Sequence, residues 1–124
     1  MLAEGGMKGK VKTMKKLEDF TELEPIFRGV GITPNWLHAL AVGYTKTYNG
    51  YGIVNYYVED GICMMNSGTI ANGRFTKEML KDMIRINRQY EKCIIYSERH
   101  EISRYMAKLC YTHDKANNLY IRGL

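Results

Sequence analysis

One α+β domain, a single mixed and mostly antiparallel sheet flanked by helices, is what this sequence predicts, and three observations predict it. The middle of the chain is a β-branched and aromatic meander broken by Asn49-Gly50 and Asp60-Gly61. A strongly amphipathic helical stretch follows it. Directly after that helix comes a short, wholly apolar run, residues 93–96, the pattern of a strand covered on both faces. A helix that leaves a sheet and returns to a buried strand crosses over that sheet.

Composition supports a packed fold. At 124 residues the chain can bury one core, and 45% hydrophobic with 25% charged residues and two prolines is ordinary globular usage. No stretch approaches the roughly 18 apolar residues that cross a bilayer, so a soluble, cytoplasmic protein is expected. Cys63, Cys93 and Cys110 are odd in number, form no Cys-x-x-Cys pair and sit in apolar runs. They are expected to be buried thiols in a reducing compartment.

The net charge of +5 is concentrated in Lys8, Lys10, Lys12, Lys15 and Lys16. That pattern divides the chain into a flexible basic arm, 1–16, and a nearly neutral domain, 17–124, with Met7 as a second possible start. A nucleic-acid-associated role would rest on this arm alone, because no basic face interleaved with aromatics follows it.

Along the domain, residues 11–17 suit a first strand, and Asp19 with Glu22 makes a capping box for a short helix that Pro25 confines to about one turn. Thr33 followed by Pro34 is an N-cap with proline at the first helical position, opening a second short helix that carries Trp36, Leu37 and Leu40. From residue 41 the pattern turns to strand, with Val42, Tyr44, Thr45, Thr47 and Tyr48. A hairpin of residues 53–58 and 62–65 follows across Asp60-Gly61, and 66–73 reads as a loop.

The clearest helix opens at the N-cap Thr76, carries Met79, Leu80, Met83 and Ile84 on one stripe, uses Phe75 as a staple against Leu80, and runs to about residue 90. Ile102, Tyr105, Met106 and Leu109 repeat at helical spacing, and residues 119–122 close the chain as a strand.

This order of elements is similar to that of acyl-CoA N-acyltransferase (GNAT) domains. The segment Arg104-Tyr105-Met106-Ala107-Lys108-Leu109-Cys110-Tyr111 resembles that family's Arg-Phe-Tyr-Glu-Lys-Leu-Gly-Phe stretch, which ends the fourth helix and enters the next strand. The Gly31-Ile32-Thr33-Pro34 segment, the hairpin ending at Cys63 and the 77–90 helix resemble GNAT-like internal virion proteins of short-tailed bacteriophages.

The resemblance implies that acetyl-CoA inserts beside the strand preceding the long helix. Backbone N–H groups at Met64, Met65 and Asn66 would then hold the thioester carbonyl, and Gly73, Arg74, Phe75 and Thr76 the pyrophosphate at a helix N-terminus. The loop here has the glycines and an arginine without the family's Gln/Arg-x-x-Gly-x-Gly/Ala spacing. The family's proton-donating tyrosine falls at Met106, which cannot donate, leaving the adjacent Tyr105 as the weak catalytic candidate.

The implied functions are therefore an N-acetyltransferase with degenerate motifs, or a non-catalytic phage protein that binds a host or virion partner, or a second copy of itself, through tyrosines 44, 48, 51, 56 and 57. Neither a metal site nor a membrane partner is expected, since His38, His100 and His113 lack ligand spacing. Glu98, Arg99, His100 and Glu101 are candidate ligand contacts where the buried strand emerges.

Overall fold

The computed structural model describes residues 23–27, 33–70, 76–97 and 100–124. The expected strand at 11–17, the capping box, the basic arm and residues 71–75 and 98–99 lie outside the described residues.

Helix α1, Glu24–Phe27, is one turn long and carries Pro25 in that turn, where a missing N–H is tolerated. Helix α2, Pro34–Val42, is capped as its sequence predicts, with the Thr33 hydroxyl accepting the Trp36 N–H at 3.2 Å. Trp36, Ala39 and Leu40 turn inward at i, i+3 and i+4, while Leu37 lies about 100° around the helix from Trp36 and is exposed. Val42 ends α2 instead of opening a strand, because the Gly43 N–H still bonds Ala39 O at 2.9 Å.

Strands β1 (Tyr44–Tyr48), β2 (Gly52–Glu59) and β3 (Ile62–Thr69) form the antiparallel meander. Both central residues of each turn have positive φ, 50° and 78° at Asn49-Gly50 and 53° and 79° at Asp60-Gly61. These are the mirror-image turns whose twist matches flanking strands, which explains the Asn-Gly and Asp-Gly pairs.

Helix α3 (Lys77–Asn87) then crosses to β4 (Cys93–Tyr96), which lies parallel to β3. The helix stops three residues short of the expected 90. A 3₁₀ turn, helix α4 (Ser103–Lys108), strand β5 (Thr112–Asp114), a second 3₁₀ turn and strand β6 (Leu119–Arg122) complete the chain. The sheet order is β1-β2-β3-β4-β6-β5, with one parallel step in an otherwise antiparallel sheet. The fold is α+β, one open mixed sheet of six strands flanked by helices.

Two apolar cores sandwich the sheet. On one face Met79, Met83 and Ile86 of α3 and Met106 of α4 pack on Val54, Met65, Ile95 and Tyr120. On the other, Leu23, Ile26, Phe27, Trp36 and Leu40 pack on Ile53. The buried stripe of α3 runs through Met79, Met83 and Ile86, with Leu80 and Ile84 at its half-buried margin. Tyr48, Tyr56 and Tyr57 are core residues, and Tyr44 and Tyr51 are partly buried against the core.

An ionic anchor ties α3 to β1. Asp82, only 3% exposed, accepts from the Tyr48 hydroxyl at 2.6 Å and from Lys46 Nζ at 2.8 Å. Burial pulls the Lys46 ammonium toward neutrality, but Asp82 and then Glu78 outweigh it and hold its pKa above the ordinary value. Burial, reinforced by Asp82, raises the Tyr48 phenol far above its usual range. The buried carboxylate is thus paired on both sides, the condition for keeping it charged inside.

Two expectations need correction. Residues 66–69 are strand, because β2 offers them a full ladder, Asn66↔Asn55 through Thr69↔Gly52. Cys110 is exposed. It sits at φ 69°, one residue past the C-cap Leu109. The Cys110 N–H bonds Ala107 O at 3.0 Å, and the Tyr111 N–H bonds Met106 O at 3.2 Å. That pair of bonds is the Schellman closure, which prefers glycine at this left-handed position.

Candidate functional site

The site begins where β3 and β4 part. Their pairing runs from Cys63↔Cys93 to Asn66↔Tyr96, after which Ser67, Gly68 and Thr69 keep register partners on β2 only. The Ser97 N–H bonds instead to Asn118 O at 2.9 Å, beside β6. Each strand follows its antiparallel neighbour, so the parallel pair separates at its C-terminal end, the end where ligands enter parallel sheets. Ser67 Oγ is buried there with no hydrogen-bond partner among the described residues.

Behind this opening, on the α2 face, a chain of side-chain amides holds β3 in place. Asn55 Nδ2 donates to Ala39 O at 2.9 Å and to Thr45 Oγ1 at 3.0 Å. Its Oδ1 accepts from Asn66 Nδ2 at 3.4 Å, and Asn66 Oδ1 accepts from Asn35 Nδ2 at 3.1 Å. Thr45, Asn55 and Asn66 are all buried, which such groups tolerate only when bonded. The network explains why polar residues occupy a strand that propensity assigns to loop.

Of the expected site residues, Met64, Met65 and Asn66 all lie on β3 just before the opening. Met65 points into the core under α3 at 1% exposure, Asn66 joins the amide chain on the other face, and Met64 is half-buried. Thr76 caps α3, accepting the Met79 N–H at 3.3 Å, and lies 3.2 Å from the Tyr51 hydroxyl. Gly73, Arg74 and Phe75 lie outside the described residues, as do Glu98 and Arg99.

Met106 is 2% exposed and packed in the core, whereas Tyr105 is 37% exposed on the rim of an apolar groove between α3 and α4. Leu80, Met83, Ile84 and Leu109 share that groove and fill it, leaving a free volume of about 0 Å³. Sites for drug-sized ligands run from roughly 300 Å³ upward, so this groove is packing between two helices and offers no cavity to an acyl chain.

Sequence reasoning missed two clusters. At the start of the β3–β4 pair, Cys63 and Cys93 stand opposite one another, both buried. Arg122 Nη2 donates to Cys93 Sγ at 3.5 Å, to Asn87 O at 3.0 Å and to Tyr90 O, and its guanidinium lies 5.4 Å from the Tyr111 ring centre. The Cys63 thiol donates to Cys93, which with Arg122 holds the Cys93 thiol well below its ordinary value despite burial. The same bond, reinforced by burial, pushes Cys63 up. Tyr111 gives its one hydroxyl proton to Asn87 Oδ1 at 2.5 Å.

The second cluster is His113, stacked on Tyr120 at 4.3 Å, with His100 edge-on to it at 4.9 Å and bonded to Asn118 Oδ1 at 2.8 Å. Burial, and then the neighbouring His100, lowers the His113 pKa. Among the described residues no group of three or more His, Cys, Asp or Glu side chains could hold a metal. No helix among them is long and apolar enough to cross a membrane.

Comparison with family models, curated proteins and solved structures finds no match for this chain.

Proposed function

We propose that this chain is a GNAT-type domain that binds acetyl-CoA at the separated ends of β3 and β4 and transfers the acyl group weakly. The observation that carries this reading is the parting of the one parallel strand pair directly before the long helix α3. A strand edge and a capped helix N-terminus then lie on consecutive segments of chain, the pairing of donors that suits a thioester carbonyl and a phosphate.

Weak transfer follows from Met106. A core methionine cannot protonate a leaving thiolate, so catalysis would rest on proximity alone. Met106 equally favours the second reading, a non-catalytic phage protein of this fold that binds a host or virion partner. The burial of Tyr48, Tyr56 and Tyr57 argues that such a partner would use a surface other than the tyrosine-rich strands. A nucleic-acid role through the lysine arm has no further support.

Calorimetric titration with acetyl-CoA and with CoA separates these readings. Saturable micromolar binding supports the acyl-CoA domain, and absence of binding at millimolar ligand overturns it in favour of partner binding.

A further inference from the structure

The two buried cysteines stand at the end of the β3–β4 pair opposite the proposed cofactor opening, and the acyl-CoA reading makes no use of them. We propose that Cys63 and Cys93 are a redox modification site, a dithiol that a hydroperoxide converts reversibly to a disulfide.

Geometry carries the proposal. The two residues are register partners in adjacent parallel strands. Neighbouring strands lie about 4.8 Å apart, inside the roughly 4.4–6.8 Å between Cα atoms that a disulfide spans. Side chains of paired residues leave the sheet on the same face, here the α3 face, where both sulfurs belong to one core. No strand needs to slide for the bond to form.

The surroundings divide the two roles. Arg122 places a guanidinium 3.5 Å from Cys93 Sγ, so Cys93, whose thiol now faces Tyr90 O at 3.8 Å, is the one that ionises to attack, and Cys63 is the thiol that follows it. The Cys93 sulfur attacks the hydroxyl oxygen of the hydroperoxide; an S–O bond forms, the O–O bond breaks, and the departing alkoxide takes the Cys63 proton to leave as an alcohol. The Cys63 thiolate then attacks the Cys93 sulfur. An S–S bond forms, the S–O bond breaks, and hydroxide leaves to become water with a proton from solvent. Two electrons pass from the dithiol to the peroxide, and a thiol reductant reverses the change.

Access is through the exposed Glu91 and Lys92, which immediately precede Cys93. Because both sulfurs are at 0% exposure, the pair reacts more slowly than the exposed Cys110.

The test uses the full chain with Cys110→Ser, treated with hydrogen peroxide under native conditions, quenched in acid and alkylated in denaturant. Loss of both alkylable thiols, a peptide cross-linking Cys63 to Cys93, and their full return with dithiothreitol are expected, with circular dichroism unchanged throughout. Adding Cys63→Ala should abolish the cross-link and leave a sulfenic acid at Cys93 that dimedone traps. Two thiols still alkylable after Cys110 of the unsubstituted chain has reacted, or a cross-link formed only in urea, would overturn the proposal.

Discussion

At its start, the β3–β4 pair is sealed: Cys63 meets Cys93, and Arg122 ties β6 to the carbonyls of Asn87 and Tyr90 at the end of α3. Four residues later the same two strands separate, β3 staying with β2 and β4 with β6, and the buried Ser67 hydroxyl has no hydrogen-bond partner among the described residues. At the sealed end the Asn87 and Tyr90 carbonyls and the Cys93 sulfur find a donor in Arg122. At the open end the Ser67 hydroxyl finds no partner among the described residues, and a buried hydroxyl without one is the more informative of the two states, because it costs stability unless a ligand uses it.

The comparison breaks most severely if the amide chain behind the open end is removed. Asn55→Leu takes a partner from Thr45 Oγ1 and Asn66 Nδ2 in the interior and leaves Ala39 O with the Gly43 N–H alone. It should lower stability by about 3 kcal/mol, read as a fall in the urea midpoint. At the sealed end, Arg122→Met leaves two carbonyls with one donor fewer each and should cost about 2 kcal/mol in the same measurement.

A pH series sharpens the sealed end further. Cys93 is held below its ordinary value of 9.0, at about 6, chiefly by Cys63, so its folded-state advantage is complete above 9.0 and is lost as the pH falls through the lowered value. The raised Cys63 acts in the opposite sense, its advantage present below the ordinary thiol value and lost above it. Stability should therefore climb as pH rises toward 9.0, and Cys93→Ala should flatten that climb. A wild-type profile with no such slope would mean that neither Cys63 nor Arg122 favours the Cys93 thiolate.

The smallest expected effect is the most diagnostic. Ser67→Ala deletes a buried hydroxyl with no partner among the described residues and should raise stability by about 0.5 kcal/mol. If the open end holds a ligand, the same substitution weakens acetyl-CoA binding in calorimetry. A loss of stability in its place would show that Ser67 serves the fold.

Local chemistry made much of this architecture legible. Asn49-Gly50 and Asp60-Gly61 marked both turns of the meander, Thr33-Pro34 and Thr76 marked two helix starts, and the apolar 93–96 run marked the buried parallel strand. Each is a signal that a few neighbouring residues carry by themselves. The open end was partly legible, since Met64 to Asn66 were expected beside it, but Ser67 was hidden in a stretch whose glycine and asparagine content reads as loop. The ladder to β2 overrode that propensity, supplying every one of residues 66–69 with a register partner.

By itself, then, the sequence indicated the order of the described helices and strands but not the two 3₁₀ turns, with the short strand β5 implied only by the likeness of residues 104–111 to a helix end entering a strand. Tertiary structure alone decided that Cys63 faces Cys93, that Asn35, Asn55 and Asn66 join across α2 and two strands, and that His100 meets His113. The division has one physical reason. Turns, caps and amphipathic periods are fixed by residues a few positions apart, whereas these contacts join residues from 11 to 31 positions apart, or in register across a crossover, and exist only once the sheet has closed its order.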